Sequence, residues 1–180
     1  SVSTKATDKA DGDKIVSTIA DAVVLDTVTV RNVVAGVNYR LIATLMDKST
    51  GQPLKVNGAN VTATKTFTPS ANGNLNVPVE IKFDATNVVP KFVTKKVVVY
   101  ERLEIATQAI NPTASSGWTA LASHQEINDI GQTVDVKNTE PAIKTSAQDD
   151  KTKEHISNAA PNASITDTVT YENLKLNTDY

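Results

Sequence analysis

The 180-residue chain has no cysteine, which leaves a cytosolic protein or a secreted one that does without disulfides. Aromatic residues are scarce at 4%, with one Trp, three Phe and four Tyr. A core must then be built from Val, Ile, Leu and Thr, which favours strands over helices. The same scarcity argues against a carbohydrate-stacking surface. Charge is nearly balanced at a formal net of -2, so nothing electrostatic draws the chain to nucleic acid or to an anionic membrane. No run approaches the ~18 apolar residues of a membrane span, and no signal peptide opens the chain. Membrane contact by this stretch is therefore not expected, and export or anchoring signals belong to a longer parent if they exist. What is present, 39% hydrophobic and 21% charged residues, suffices for a core and carries few signals of disorder.

Runs of β-branched residues lie between turn formers. They span Val23 to Val30, Tyr39 to Met46, Asn60 to Phe67, Leu75 to Phe83, Val97 to Leu103 and Thr133 to Val136. The separators are Gly36-Val-Asn38, Asp47 to Pro53, Pro69 to Gly73 and Asn111 to Gly117. Asn57-Gly58 and Asn72-Gly73 read as hairpin turns, and no segment has a convincing capped helical period. Many short strands with regular punctuation predict an all-β, immunoglobulin-like antiparallel β-sandwich.

The chain also repeats itself. Thr4 to Asp8 resembles Thr145 to Asp149, Asp26-Thr-Val-Thr-Val30 resembles Asp167-Thr-Val-Thr-Tyr171, and Asn32 and Tyr39 correspond to Asn173 and Tyr180. Every pair has the same offset of 141 positions. That predicts a tandem repeat, with a complete domain over 1–140 and the truncated N-terminal part of a homologous copy over 141–180. A stub of about two strands cannot bury its apolar face alone. It is expected to be disordered, docked on the first domain, paired with another molecule or completed by further chain.

The segment His124-Gln-Glu-Ile-Asn-Asp-Ile-Gly-Gln132 carries an imidazole, two carboxylates and a carboxamide. Thr4 could meet Gln132 if the first and last strands pair. An ester between a threonine hydroxyl and a glutamine carboxamide needs a base near neutrality, a donor for the tetrahedral oxyanion, and a proton for departing ammonia. His124 suits the base and can return the proton. Two buried acids side by side would share a proton, and one could serve as donor. Thr7 is a rival hydroxyl, but its odd separation from Thr4 puts it on the other strand face. The repeat keeps threonine at position 145 and has Gln148 at the counterpart of Thr7, which favours Thr4.

These residues resemble the Thr–Gln ester-bond domains of Gram-positive surface adhesins, often recognised by a Val-x-Phe-Glu strand. The resemblance lies in Asp26-Thr-Val-Thr, Leu45 to Gly51, Val98-Val-Tyr-Glu101 and His124 to Val134, in that order, and covers residues 1 to about 140. It implies Thr4 as nucleophile, Gln132 as acyl donor, His124 as base, and Asp26 with Glu101 as the assisting acid pair. Thr145 and Asp167 are the second-repeat counterparts, expected to be unreacted. Tyr100 stands where the motif has Phe, and Glu126 where Asp is expected two residues after the histidine. The implied product is a self-cross-linked, cell-wall-anchored extracellular stalk and no turnover enzyme. It needs no cofactor or metal, and its partners are neighbouring repeats of the same chain; the host ligand of the adhesin tip is not specified.

Plainer readings compete for other residues. Asp8, Asp11 and Asp13 evoke a calcium loop, but the glycine and distal acid are misplaced, so a hydrated turn is expected. Lys95-Lys96 reads as a solvated edge or turn, and His155 has no acid or amide partner in register. A Lys5–Asn138 isopeptide assisted by Glu101 is the rival cross-link, though it leaves His124 and Gln132 without a role. A plain ligand-binding sandwich without a cross-link is the other alternative.

Overall fold

The computed structural model describes residues 1–107, 117–174 and 176–180. The chain divides into two units, Ser1–Asn138 and Thr139–Tyr180. The first holds β1 (Val2–Asp8), β2 (Ile15–Ser17), β3 (Ala22–Val33), β4 (Tyr39–Asp47), β5 (Gln52–Pro53) and β6 (Lys55–Val56). It continues with β7 (Ala59–Asn60), β8 (Thr62–Phe67), β9 (Gly73–Phe83), β10 (Thr94–Ala106), β11 (Trp118–His124) and β12 (Thr133–Lys137).

Two main sheets and the two-stranded β6-β7 ribbon form the first unit. The smaller has the order β1-β3-β9; the larger runs β2-β12-β10-β4-β5, with β11 also on β10 and β8 also on β4. Period-2 alternation assigns their inner faces. Ala6, Val24, Val28, Val30, Val77, Val79 and Ile81 are buried on the small sheet, and Leu41, Leu45, Val97, Val99, Leu103, Val134 and Val136 on the large one. Together they make one aliphatic core. Pro78 is tolerated inside β9 because that strand is an edge and the residue is exposed.

One strand organises the larger sheet. β10 pairs with β4 along most of its length, while its other edge is shared. Thr94 to Val98 pair with β12, and Glu101 to Ala106 pair with β11. At the junction Val99 N donates to Gln132 O at 3.0 Å.

The expected runs all become strands, with differences at their ends. Val61 interrupts the Asn60–Phe67 run, separating β7 from β8. Asn57-Gly58 is the expected two-residue hairpin, with φ of 51° and 82°, closing β6 on β7. Asn72-Gly73 is not a hairpin: it carries the chain from β8 in one sheet to β9 in the other. Lys95 and Lys96 lie inside β10 and not at an edge or turn; they pair with Asp47 at 2.5 Å and Asp135 at 2.8 Å. Of the Asn111 to Gly117 turn, only Gly117 lies within the described residues.

The second unit contains β13 (Ala142–Asp149) paired antiparallel with β14 (Ile165–Glu172). Thr145 faces Val169 and Ala147 faces Asp167, as Thr4 faces Val28 and Ala6 faces Asp26. Asn32 and Asn173 both adopt positive φ, at 59° and 56°. The unit's large apolar side chains, among them Ile143, Ile165, Val169 and Tyr171, are exposed.

Candidate functional site: a threonine facing a glutamine beside two buried acids

Four of the expected residues share the inner faces of the sandwich. Thr4 lies on β1 with Val2 and Ala6, Asp26 on β3 between Val24 and Val28, and Glu101 on β10 between Val99 and Leu103. Gln132 immediately precedes β12 and is fully buried. Strand alternation thus aims a hydroxyl and two carboxyls into an otherwise aliphatic core, and the turn before β12 adds the carboxamide.

Their contacts form a short chain. Thr4 Oγ1 donates to Asp26 Oδ1 at 2.5 Å. Gln132 Nε2 donates to the same Thr4 oxygen at 3.2 Å, across a sequence separation of 128. The Asp26 and Glu101 carboxyls are in contact, close enough for a proton on one to be shared with the other. Burial, the neighbouring Asp26 charge and that contact push the Glu101 carboxyl up to about 9. Burial also raises Asp26, against the hydrogen bonds from Thr4 and Glu101 and the charges of His124 and Lys14. At neutral pH Glu101 therefore keeps its proton and can act as a donor. With both acids ionised, Asp26 Oδ2, both Glu101 oxygens and Gln132 Oε1 would be buried with no donor among the described residues. A protonated Glu101 removes part of that deficit.

His124 closes β11 directly opposite Glu101 on the edge of β10. Its Nε2 lies 2.7 Å from Asp129 Oδ2, a partner that sequence reasoning missed. Burial raises the Asp129 carboxyl, but the His124 bond and the Gly131 and Gln132 backbone N–H groups outweigh it and hold it below the usual range. Asp129 also accepts from Gly131 N at 2.7 Å, and its own carbonyl accepts from Thr133 Oγ1 at 2.7 Å. One carboxylate thus orients the imidazole and shapes the turn that delivers Gln132. The available signal was Asp129-Ile-Gly, an Asx-turn sequence five residues after the histidine. Glu126 instead accepts from Asn128 N at 3.0 Å and is exposed.

The remaining candidates lie elsewhere. Thr7 is on the opposite face of β1 from Thr4. Lys5 is exposed on that outer face, so the isopeptide set of Lys5, Asn138 and Glu101 is not gathered: Asn138 follows β12 and lines a surface cleft with Thr18, Thr86 and Lys91. Ligand atoms of Asp8, Asp11 and Asp13 lie within 4.8 Å of one another, and each carboxylate accepts the backbone N–H two residues ahead. In the second unit, Thr145 and Asp167 occupy β13 and β14.

Comparison with curated proteins finds no match. Among solved structures, the chain is similar to a bacterial adhesin from Mobiluncus mulieris described as containing intramolecular disulfide, isopeptide and ester bond cross-links. The P21 crystal form gives a TM-score of 0.59 at 16% identity, covering 94% of this chain and 75% of that one. The P1 form gives 0.58 at 14% identity with the same coverage. Identity this low shows the shared all-β sandwich fold and nothing more. The sequence itself matches the family model for the T-Q ester bond containing domain over residues 1–136 and again over 141–180, and the chain belongs to that family.

Proposed function

We propose that residues 1–138 form an intramolecular ester between Thr4 and Gln132, and that the chain is a stalk segment of a cell-surface adhesin braced by that bond. The observation that carries the reading is the 3.2 Å approach of the Gln132 carboxamide to the Thr4 hydroxyl beside the buried Asp26 and Glu101 carboxyls. Family membership supports the ester, and fold similarity to an adhesin supports the setting.

The chemistry is a single acyl transfer. Thr4 Oγ1 attacks the Gln132 side-chain carbonyl, its proton passes to His124, and the tetrahedral oxyanion is met by the proton held on Glu101. His124, oriented by Asp129, then protonates the leaving nitrogen; the C–N bond breaks and ammonia departs. The products are one ester and one ammonia, with no turnover on an external substrate. Asp26 holds the hydroxyl in place, and that hydrogen bond must yield as the proton moves. The same bond favours a second reading, in which Asp26 itself takes the proton.

Residues 141–180 are read as the opening hairpin of a second module, on the family match and the identical strand register. Within those residues Thr145 and Asp167 stand at the positions of Thr4 and Asp26. The partners in this reading are neighbouring modules of the same polypeptide. The test is intact mass. The folded wild type is expected to be one ammonia lighter than its sequence, and Thr4→Ala and Gln132→Ala to have the full mass. A well-folded wild type of unmodified mass would sink the proposal. Cleavage by hydroxylamine identifies the bond as an ester; resistance would point to an amide.

A further inference from the structure

Lys14 lies where the chain crosses from β1 in the small sheet to β2 in the large one. Its own carbonyl accepts from Asp135 N at 2.7 Å, and its side chain turns back toward the cross-link site. The ammonium donates to Ala6 O, to Gly131 O at 2.7 Å and, more distantly, to Ile130 O at 3.5 Å. Ala6 follows Thr4 by two residues on the same strand face, and Gly131 immediately precedes Gln132. Ala6 N also donates to Gly131 O, at 2.9 Å. One cation therefore clamps carbonyls on both backbones that bring the reacting side chains together. Three donors on one ammonium suit this task, and charge strengthens each bond.

The second unit repeats the turn and one of these contacts, with a different side chain. Gly12 N donates to Asp8 O at 2.9 Å, and Lys153 N to Asp149 O at the same distance. Asp8 N donates to Asp13 O at 2.8 Å, and Asp149 N to Glu154 O at 2.9 Å. Gly12 and Lys153 have positive φ of 83° and 62°. The residue that follows each turn at the offset of 141 is Lys14 or His155. His155 Nδ1 lies 2.7 Å from Ala147 O, the counterpart of Ala6 O.

We propose that Lys14 is a positioning residue for cross-link formation, a strap that holds the Thr4 strand and the Gln132 turn at reacting distance. The inference rests on the ester reading. Its physical basis is that acyl transfer between fixed groups is sensitive to displacements of about 1 Å, worth on the order of 100-fold in rate. The strap also sets charge. Lys14 faces Lys5 of β1, Asp26 of β3 and Asp129 of the turn, and its ammonium favours the ionised form of Asp26, which His124 also faces.

The test follows ammonia loss by intact mass in chain freshly made by cell-free synthesis, across pH. Lys14→Met keeps the stem and removes the donors and the charge; it is expected to slow ammonia loss about 10- to 100-fold. It should also move the acid side of the rate profile to higher pH. Lys14→Arg is expected to restore both within a few-fold. Melting in a Thr4→Val background checks that each variant folds. If Lys14→Met reacts at the wild-type rate, or is slowed equally at every pH without rescue by Arg, the strap is overturned while the ester stands. If the wild type loses no ammonia, both readings fall.

Discussion

At the residue scale, Glu101 is a carboxyl group in a row that otherwise reads valine, valine and leucine on the inner face of β10. Its folded-state range of about 9 lies above the ordinary 4.5, so folding takes up a proton between those values. For an acid raised in this way, the stability present below its unfolded pKa is lost as pH rises through the folded one. The unreacted Thr4→Val chain is therefore expected to melt at progressively lower temperature from about pH 5 to about pH 9. Glu101→Gln in that background should flatten the slope, and thermal melts across pH check it. In the reactive chain, ammonia release should fall once pH passes about 9, where Glu101 gives up its proton. His124→Gln should slow release by roughly 100- to 10,000-fold. Release at an unchanged rate would instead assign the Thr4 proton to Asp26, to which the hydroxyl already donates.

At the scale of elements, the turn between β11 and β12 sets the geometry of the site. A methyl group at Gly131 would lie 3.0 Å from Asp129 Oδ1 and 3.6 Å from Thr4 O. Gly131→Ala must push the Asp129 carboxylate, which binds both His124 and the Gly131 amide. The expected outcome is a folded chain whose ammonia loss is slowed at least several-fold, read by time-resolved intact mass. A wild-type rate would show that the turn tolerates the shift. How much of this was legible in the sequence follows from the same elements. Period-2 rows such as Val24, Asp26 and Val28 announce their faces because each strand is buried on one side. β11 escaped detection because its residues are mostly exposed and do not alternate. Asp129 and Lys14 escaped because their contacts depend on how a turn and a sheet crossing fold back, and no strand periodicity encodes that. Lys95 and Lys96 misled because charge suggests an edge, whereas adjacent strands supply Asp47 and Asp135 as partners.

At the scale of the molecule, the proposed bond would close nearly the whole of the first unit into one covalent loop. Chain-entropy arguments put the effect of so long a loop at about 5 kcal/mol. Thr4→Val is then expected to melt roughly 10–20 °C below the cross-linked wild type, measured at one pH by calorimetry. Equal melting temperatures would deny the bond its stabilising role. The separation of 128 positions between the two joined residues also has a consequence for length. Stretched out at ~3.3–3.6 Å per residue, that span is roughly 420–460 Å of chain. If the ester forms, this contour would stay sealed behind it, and a single-molecule trace should show no such release step until a covalent bond breaks.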